Sequence, residues 1–315
     1  MSFNDIINQQ HAKKTLLGQL ASGKIPHAYL FLGQDGIGRK KTALEFAKAL
    51  DCQVNQGQNS FREPCDHCIS CSKINRLIHP DVQLIDYAWQ ANLLGEEIEK
   101  QRSIKIKTIR ALQYEVNLKP VEARWKIFII DPAEEITEDA ANSLLKTLEE
   151  PPEWTVIILL AKHKDNLPAT IVSRSQIILF QPLKESELAD YLILNAKIER
   201  KQAETIAKLS EGSISAALKL LEDKKTVSSA FWKNVKSGKL PASRILEESE
   251  SYHKNAGEFL QELIAEVKLD FRQSPEIYQN IVREIITSQK LIEQNVNPKL
   301  VLDALLLKIN ALAHN

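Results

Sequence analysis

Ala28-Tyr29-Leu30-Phe31-Leu32-Gly33-Gln34-Asp35-Gly36-Ile37-Gly38-Arg39-Lys40-Lys41-Thr42 passes from an apolar run, through a glycine-rich turn, into a helix. Five consecutive apolar residues predict a strand buried on both faces. From Arg39 to Leu50 the apolar residues Ala43, Phe46, Ala47 and Leu50 recur at helical spacing. A glycine-rich turn between a strand and a helix is where a phosphate-binding loop belongs, and its pattern is G-x-x-x-x-G-K-[ST]. Gly33 and Gly38 meet that pattern, but Arg39 takes the place of the lysine and Lys40 that of the hydroxyl residue. The hydroxyl normally ligates Mg²⁺ beside the β- and γ-phosphates, so a lysine there puts a cation where a cation must bind. Thr42 is no substitute, because two further helical residues turn it by about 200° around the axis.

Strand and helix signals alternate on both sides of this stretch, from residue 1 to about 182. Asp81–Ile85, Lys126–Asp131, Thr155–Leu160 and Gln176–Phe180 read as further strands. Ile104, Ile109, Leu112 and Val116 form a helical stripe ending before Pro120. Thr137 is placed to cap the next helix, with Glu138 and Asp139 in its first turn. That helix presents Ala141, Leu144, Leu145 and Leu148 and stops at Pro151-Pro152. The expectation is an α/β domain with a parallel sheet covered on both faces. Asp131 ends the Lys126–Asp131 strand where a metal-binding carboxylate of a nucleotide hydrolase would stand. The next position, where many such enzymes carry a water-polarising glutamate, is Pro132, and Glu134 lies beyond the strand end. A bare strand-end carboxylate and a plain glycine turn are the competing readings. The joint losses favour a former ATP site that no longer hydrolyses.

After Lys184 the strand signals fade. Leu188, Tyr191, Leu192 and Leu194, then Ile206, Leu209, Ala216, Ala217, Leu220 and Leu221, predict helices interrupted at Glu211-Gly212-Ser213. Polar residues from Asp223 to Ser229 read as a link. A helical bundle follows, with Leu260, Leu263, Ile264, Val267, Ile281, Ile285, Ile286, Leu302, Leu305, Leu306 and Ile309 as apolar positions. The expected divisions are 1–182 (α/β), 183–225 (small helical) and 226–315 (helical bundle).

Cys52, Cys65, Cys68 and Cys71 are the only cysteines. Cys65-Asp-His-Cys68-Ile-Ser-Cys71 contains two overlapping C-x-x-C steps, a spacing that brings thiolates to one tetrahedral Zn²⁺ at about 2.3 Å. Cys52 supplies the fourth ligand, and His67 and His79 are substitute candidates. Four cysteines complete a closed site, so the expected zinc is structural. The competing reading is two disulfides of a secreted domain. No leader of charged then apolar residues opens the sequence, and no apolar run reaches about 18 residues, so a reducing, cytoplasmic compartment is expected. In 315 residues, 41 Lys and Arg balance 41 Asp and Glu. Zero net charge argues against autonomous nucleic-acid binding, which draws on excess basic residues, and suits a subunit built to associate.

The residues also resemble a known family. Asn142-Ser143-Leu144-Leu145-Lys146-Thr147-Leu148-Glu149-Glu150-Pro151-Pro152 is similar to the signature helix of bacterial clamp-loader AAA+ subunits. Phe3–Ile7, Ile25–Phe31, His79-Pro80-Asp81 and Ile104–Arg110 resemble that family in the same order, and the cysteines occupy the place of its zinc module. The resemblance covers residues 1 to about 220. It implies an AAA+ domain carrying the zinc module, a helical lid and a C-terminal collar for oligomerisation.

Within this family some chains are ATP-hydrolysing motors and others are non-hydrolysing stators. The sequence departs from the motor pattern at Arg39, Lys40 and Pro132. It departs again in the sensor 1 region, Leu160-Ala161-Lys162-His163-Lys164, and at Ser215, where the sensor 2 arginine is expected. Ser173-Arg174-Ser175 keeps the Ser-Arg pair of the family's trans-acting motif. The resemblance therefore implies a stator of the DNA polymerase III clamp loader, without polymerase or ATPase activity of its own and not expected to bind ATP. Arg174 would be its arginine finger toward a neighbour. Gly33, Gly38, Arg39, Lys40 and Asp131 would be remnants of the site. The implied partners are gamma/tau motor subunits, the delta subunit, the sliding clamp and primed DNA within the assembly. The alternatives are an ATP-hydrolysing motor subunit and, from another class, a zinc-bearing nucleic-acid binding module.

Overall fold

The computed structural model describes residues 3, 6–55, 63–223, 232, 234–235, 241–252, 256–270, 275–294 and 296–312. Chain contacts divide it into two compact units, Met1–Ala216 and Ala217–Asn315.

The first unit is built on five parallel strands: β1 (Ala28–Leu32), β2 (Val82–Ile85), β3 (Lys126–Ile130), β4 (Thr155–Ala161) and β5 (Gln176–Leu179). Their spatial order is β2-β3-β4-β1-β5. Every residue of β1, β3 and β4 is buried, which is why these strands read as unbroken apolar runs. Alternate side chains serve the two faces. Leu30 and Leu32 join the core formed with α5 (Ile106–Asn117) and α6 (Glu138–Glu149). Tyr29 faces α2 (Arg39–Asp51), its ring 5.2 Å edge-on from Phe46, and Phe31 lies 5.1 Å from Phe180.

The other helices of this unit are α1 (Gln10–Ser22), α3 (Ile69–Asn75), α4 (Tyr87–Leu94), α7 (Ala169–Ser173), α8 (Glu185–Ala196) and α9 (Arg200–Leu209). The helix α10 (Ile214–Asp223) begins in it. Two local expectations are corrected. Ile104 precedes α5 and forms a parallel bridge with Ile136, so the buried stripe of that helix starts later, at Thr108 and Ile109. Thr137 stands at the N-cap of α6, but its side chain makes no capping hydrogen bond. The interruption expected at Glu211–Ser213 is a turn with Glu211 and Gly212 at φ 49° and 81°.

The second unit holds α11 (Ala242–Tyr252), α12 (Ala256–Asp270), α13 (Pro275–Glu293) and α14 (Pro298–Leu312). Leu260, Leu263, Val267, Ile281, Ile285, Leu302, Leu305, Leu306 and Ile309 form its core with Trp232. Ile286, expected among them, is 42% exposed. Of the polar link expected at Asp223 to Ser229, all but Asp223 lies outside the described residues. No helix among the described residues is long and apolar enough to cross a membrane.

Candidate functional site

Parallel register gathers the chemistry at one edge of the sheet. Ile85 pairs with Ile130 and Leu32 with Ala161. Asp86, Asp131, Gly33 and Lys162, the residues that follow these strand ends, therefore share the carboxyl edge, where ligands of open α/β sheets bind. A cleft of about 410 Å³ opens there, lined among others by Gly36, Gly38, Arg39, Lys40, Asp131 and Ser215.

The loop is held by glycines where a Cβ has no room. Gly36 has φ 74°, and a Cβ on it would come within 2.3 Å of Ser213 Oγ. Its carbonyl accepts from the N–H groups of Ile214 and Ser215 at 2.9 and 3.4 Å. Gln34 Nε2 donates to the Glu211 carbonyl at 2.7 Å. The start of α10 is thus bonded directly to the loop. Gln9 ties the loop to the end of β5 from the other side, donating to the carbonyls of Ile37 (3.2 Å) and Gln181 (2.7 Å).

The charges of the cleft are paired internally. The Lys40 ammonium lies 3.8 Å from an oxygen of Asp131 and 3.8 Å from one of Asp86. Burial raises the Asp131 carboxyl above its usual range, Lys40 and Arg39 pull it down, and Asp35 and Glu134 push it up. Arg39 is buried and donates from Nη2 to Asp35 at 2.7 Å, while its buried Nη1 has no hydrogen-bond partner. Lys162 holds the other Asp35 oxygen at 2.8 Å. Thr42 donates its hydroxyl to the Gly38 carbonyl at 2.8 Å. Glu134 accepts from the Lys162 N–H at 3.3 Å and is not among the residues lining the cleft. Sequence reading missed Asp86, Asp35, Gln9 and the pairing role of Lys162. The sequence marks Asp86 only as an acid directly after a predicted strand; its nearness to Asp131 comes from the register of β2 on β3.

Arg174 lies at the opposite edge. It caps α7 just before β5 and so stands at the amino edge of the parallel sheet, with on the order of 10 Å of strand between it and the cleft edge. Its Nη2 lies 2.7 Å from Glu149 Oε1, at the end of α6, and its Nη1 donates to the Thr170 carbonyl at 3.2 Å. It is not among the residues lining the cleft of its own chain.

The four cysteines meet. Their sulfurs all lie within 4.8 Å of one another, unbridged by disulfides. The Cys68 N–H points to Cys65 Sγ at 3.3 Å and the Cys71 N–H to Cys68 Sγ at 3.4 Å. Such donors favour thiolate. Burial raises the thiols of Cys52 and Cys71. For Cys68, burial is outweighed by N–H donation from Cys71 and Gln53, and its thiol falls to about 7. A soft, four-thiol donor set fits a tetrahedral metal ion. Neither histidine joins it. His67 contacts the Cys65 carbonyl at 2.6 Å, and His79 accepts from the Asp81 N–H at 3.1 Å. The module is anchored to α2 by buried Lys48, which bonds Glu45 at 2.8 Å and Asp66 at 2.5 Å.

A five-stranded parallel sheet with a glycine-rich strand-to-helix loop and a strand-end acid at its carboxyl edge defines the class as an AAA+ type α/β domain. The comparisons with known proteins narrow this. A family model described as DNA polymerase III, delta subunit, matches residues 8–184, more than half of the chain. DNA polymerase III subunit gamma of Buchnera aphidicola subsp. Acyrthosiphon pisum is 33% identical over 225 residues, covering 70% of this chain and 58% of the relative. Subunit tau of Bacillus subtilis is 34% identical over 225 residues, 70% of this chain and 37% of the relative. Subunit delta' of Bacillus subtilis is 37% identical over 185 residues, 59% of this chain and 51% of the relative. The chain thus spans between 37% and 58% of the length of these curated relatives. A DNA polymerase III, gamma subunit-related protein from Thermotoga maritima shares the fold, with a TM-score of 0.59 and 20% identity over 96% of this chain and 100% of that one. The chain belongs to the family of DNA polymerase III clamp-loader AAA+ subunits.

Proposed function

We propose that this chain is the non-hydrolysing, delta-prime type of clamp-loader subunit, a stator that helps a DNA polymerase III assembly place a sliding clamp on primed DNA. The observation that carries this reading is the Lys40 ammonium, 3.8 Å from both Asp131 and Asp86. Hydrolysis requires a divalent ion between strand-end carboxylate and phosphate oxygens, and here a side chain of the protein pairs with those carboxylates. Pro132 adds to this, since it offers no atom to accept a proton from water. The remaining parts follow as one reading: an α/β domain at 1–182, a lid at 183–225 and a collar at 226–315. Gamma/tau motors and a delta subunit are the neighbours, in the cytoplasm.

Cys52, Cys65, Cys68 and Cys71 would hold a structural zinc, whose chemistry is that of a cross-link. Their own part is to join the Cys65–Cys71 segment to the end of α2, where Cys52 stands. Arg174 would act on a neighbour. Its planar, permanently charged guanidinium suits bidentate contact with phosphate oxygens, and its place opposite its own cleft suits action in trans. A second reading, a motor subunit, has support in the gamma and tau relatives, which align over 225 residues against 185 for delta'.

The test is reconstitution with gamma/tau-type and delta subunits. We expect one stable complex in which Arg174→Ala assembles normally but loads clamps slowly, while the isolated chain turns over no ATP. Steady ATP hydrolysis by the isolated chain, abolished by Asp131→Ala, would establish the motor reading.

A further inference from the structure

Arg174 is the proposed trans-acting group, yet it sits on the last turn of a five-residue helix with a side chain that is 37% exposed. An arginine so placed samples many rotamers, and a finger must point one way when the neighbour's phosphate arrives. Two contacts restrict it. Glu149 Oε1 accepts from Nη2 at 2.7 Å, and the Thr170 carbonyl accepts from Nη1 at 3.2 Å. A guanidinium carries five N–H donors, so these two contacts leave three for a phosphate. The Glu149 side chain is itself 50% exposed, so the difference between the two supports lies in the backbone that carries each. Thr170 belongs to the short helix that Arg174 caps. Glu149 instead ends the twelve-residue α6, which buries Ala140, Ala141, Leu144, Thr147 and Leu148 against the core. The end of α6 is itself held, because His27 Nε2 meets the Leu148 carbonyl at 3.1 Å.

We infer that Glu149 is the positioning residue for Arg174: it orients the guanidinium from the rigid end of α6 toward the phosphate of an adjacent subunit. This rests on the reading of Arg174 as a finger. Glu149 touches neither nucleotide nor metal in this scheme and acts only through the arginine. Fixing a rotamer-rich side chain in advance spares that ordering cost when the complex forms.

The experiment has two arms. In the full-length chain labelled with ¹⁵N-arginine, the Arg174 side-chain signal, assigned by its loss in Arg174→Lys, should show restricted motion. Glu149→Ala should release it without changing the urea midpoint. In reconstituted clamp loaders, Glu149→Ala should slow clamp loading at saturating ATP by about 2- to 5-fold, the range of an exposed ion pair, with the ATP concentration for half-maximal rate unchanged. Glu149→Gln retains an acceptor oxygen and should lie closer to wild type. Because Glu149 works through Arg174, the double variant Glu149→Ala/Arg174→Ala should be no slower than Arg174→Ala alone. If Arg174→Ala is slow but Glu149→Ala matches or exceeds wild type, the positioning role is wrong. Additive losses in the double variant also overturn it, since Glu149 would then act elsewhere. If Arg174→Ala itself loads clamps at the wild-type rate, the finger reading fails first and takes this inference with it.

Discussion

Burial and the acids Asp35 and Glu134 push the Asp131 carboxyl above the usual range, against the pull of Lys40 and Arg39. The folded chain therefore holds this proton more tightly than the unfolded chain does. Its contribution to stability is full below the unfolded carboxylate value of about 3.9 and is lost as pH rises through the raised folded value. Asp131→Asn removes that one titration and leaves every other group in place. Urea midpoints of the two proteins, compared from about pH 4 to pH 7, should diverge in favour of the asparagine variant as pH rises. A gap that moves the other way would show that Lys40 and Arg39 outweigh burial. Lys40→Thr restores the hydroxyl of the loop pattern but should restore no ATP turnover, nor should Arg39→Lys or Pro132→Glu alone. Metal, phosphate and water positioning act together, so one repaired part regains little. Measurable hydrolysis in any single variant would contradict this.

The cysteine module and α2 form one element, joined by a buried lysine. Lys48→Ala should cost about 3–5 kcal/mol, because it strands the buried Glu45 and deprives Asp66 of a partner. A loss below about 1 kcal/mol in urea unfolding would mean that water replaces the pair, as at an exposed ion pair. Metal analysis of purified protein should find one zinc per chain, and Cys65→Ser should abolish it. Stripping the metal should speed hydrogen exchange between Cys52 and His79 while the β1, β3 and β4 amides stay protected. Undiminished zinc in Cys65→Ser would refute the four-cysteine set. At this scale the sequence was informative where burial is two-sided. β1, β3 and β4 were legible because parallel strands covered on both faces are continuously apolar; β2 and β5, only partly buried, were legible from short runs rich in Val, Ile and Leu. The cysteine cluster was legible because its four members are close in sequence. Ile104 misled because an apolar residue one step before a helix matches the helical period by chance. Asp86 and Glu149 were hidden for a different reason. Each acquires its role from a residue far along the chain, Asp131 and Arg174 respectively, and only strand register or helix packing brings the partners together.

Across the whole molecule, the proposed role separates giving from receiving: Arg174 and the cleft stand at opposite edges of one sheet. A ring of such subunits would pass each arginine to the next chain's cleft, and this chain's own cleft would end the series. Reconstituted complexes carrying Arg174→Ala should therefore lose only part of their ATPase, since one neighbouring site is affected while the others keep their own fingers. Complete loss would indicate that the substitution had disrupted assembly or every site at once. The Lys40 contact with Asp86 and Asp131 has one more consequence. A cation that is covalently part of the chain cannot be chelated, diluted or exchanged. A bound magnesium or nucleotide lends stability that varies with its concentration. On the proposed reading, the charge balance at these strand ends would hold whatever the free magnesium or the ratio of ATP to ADP, and this part of the molecule would be indifferent to the energy state of the cell.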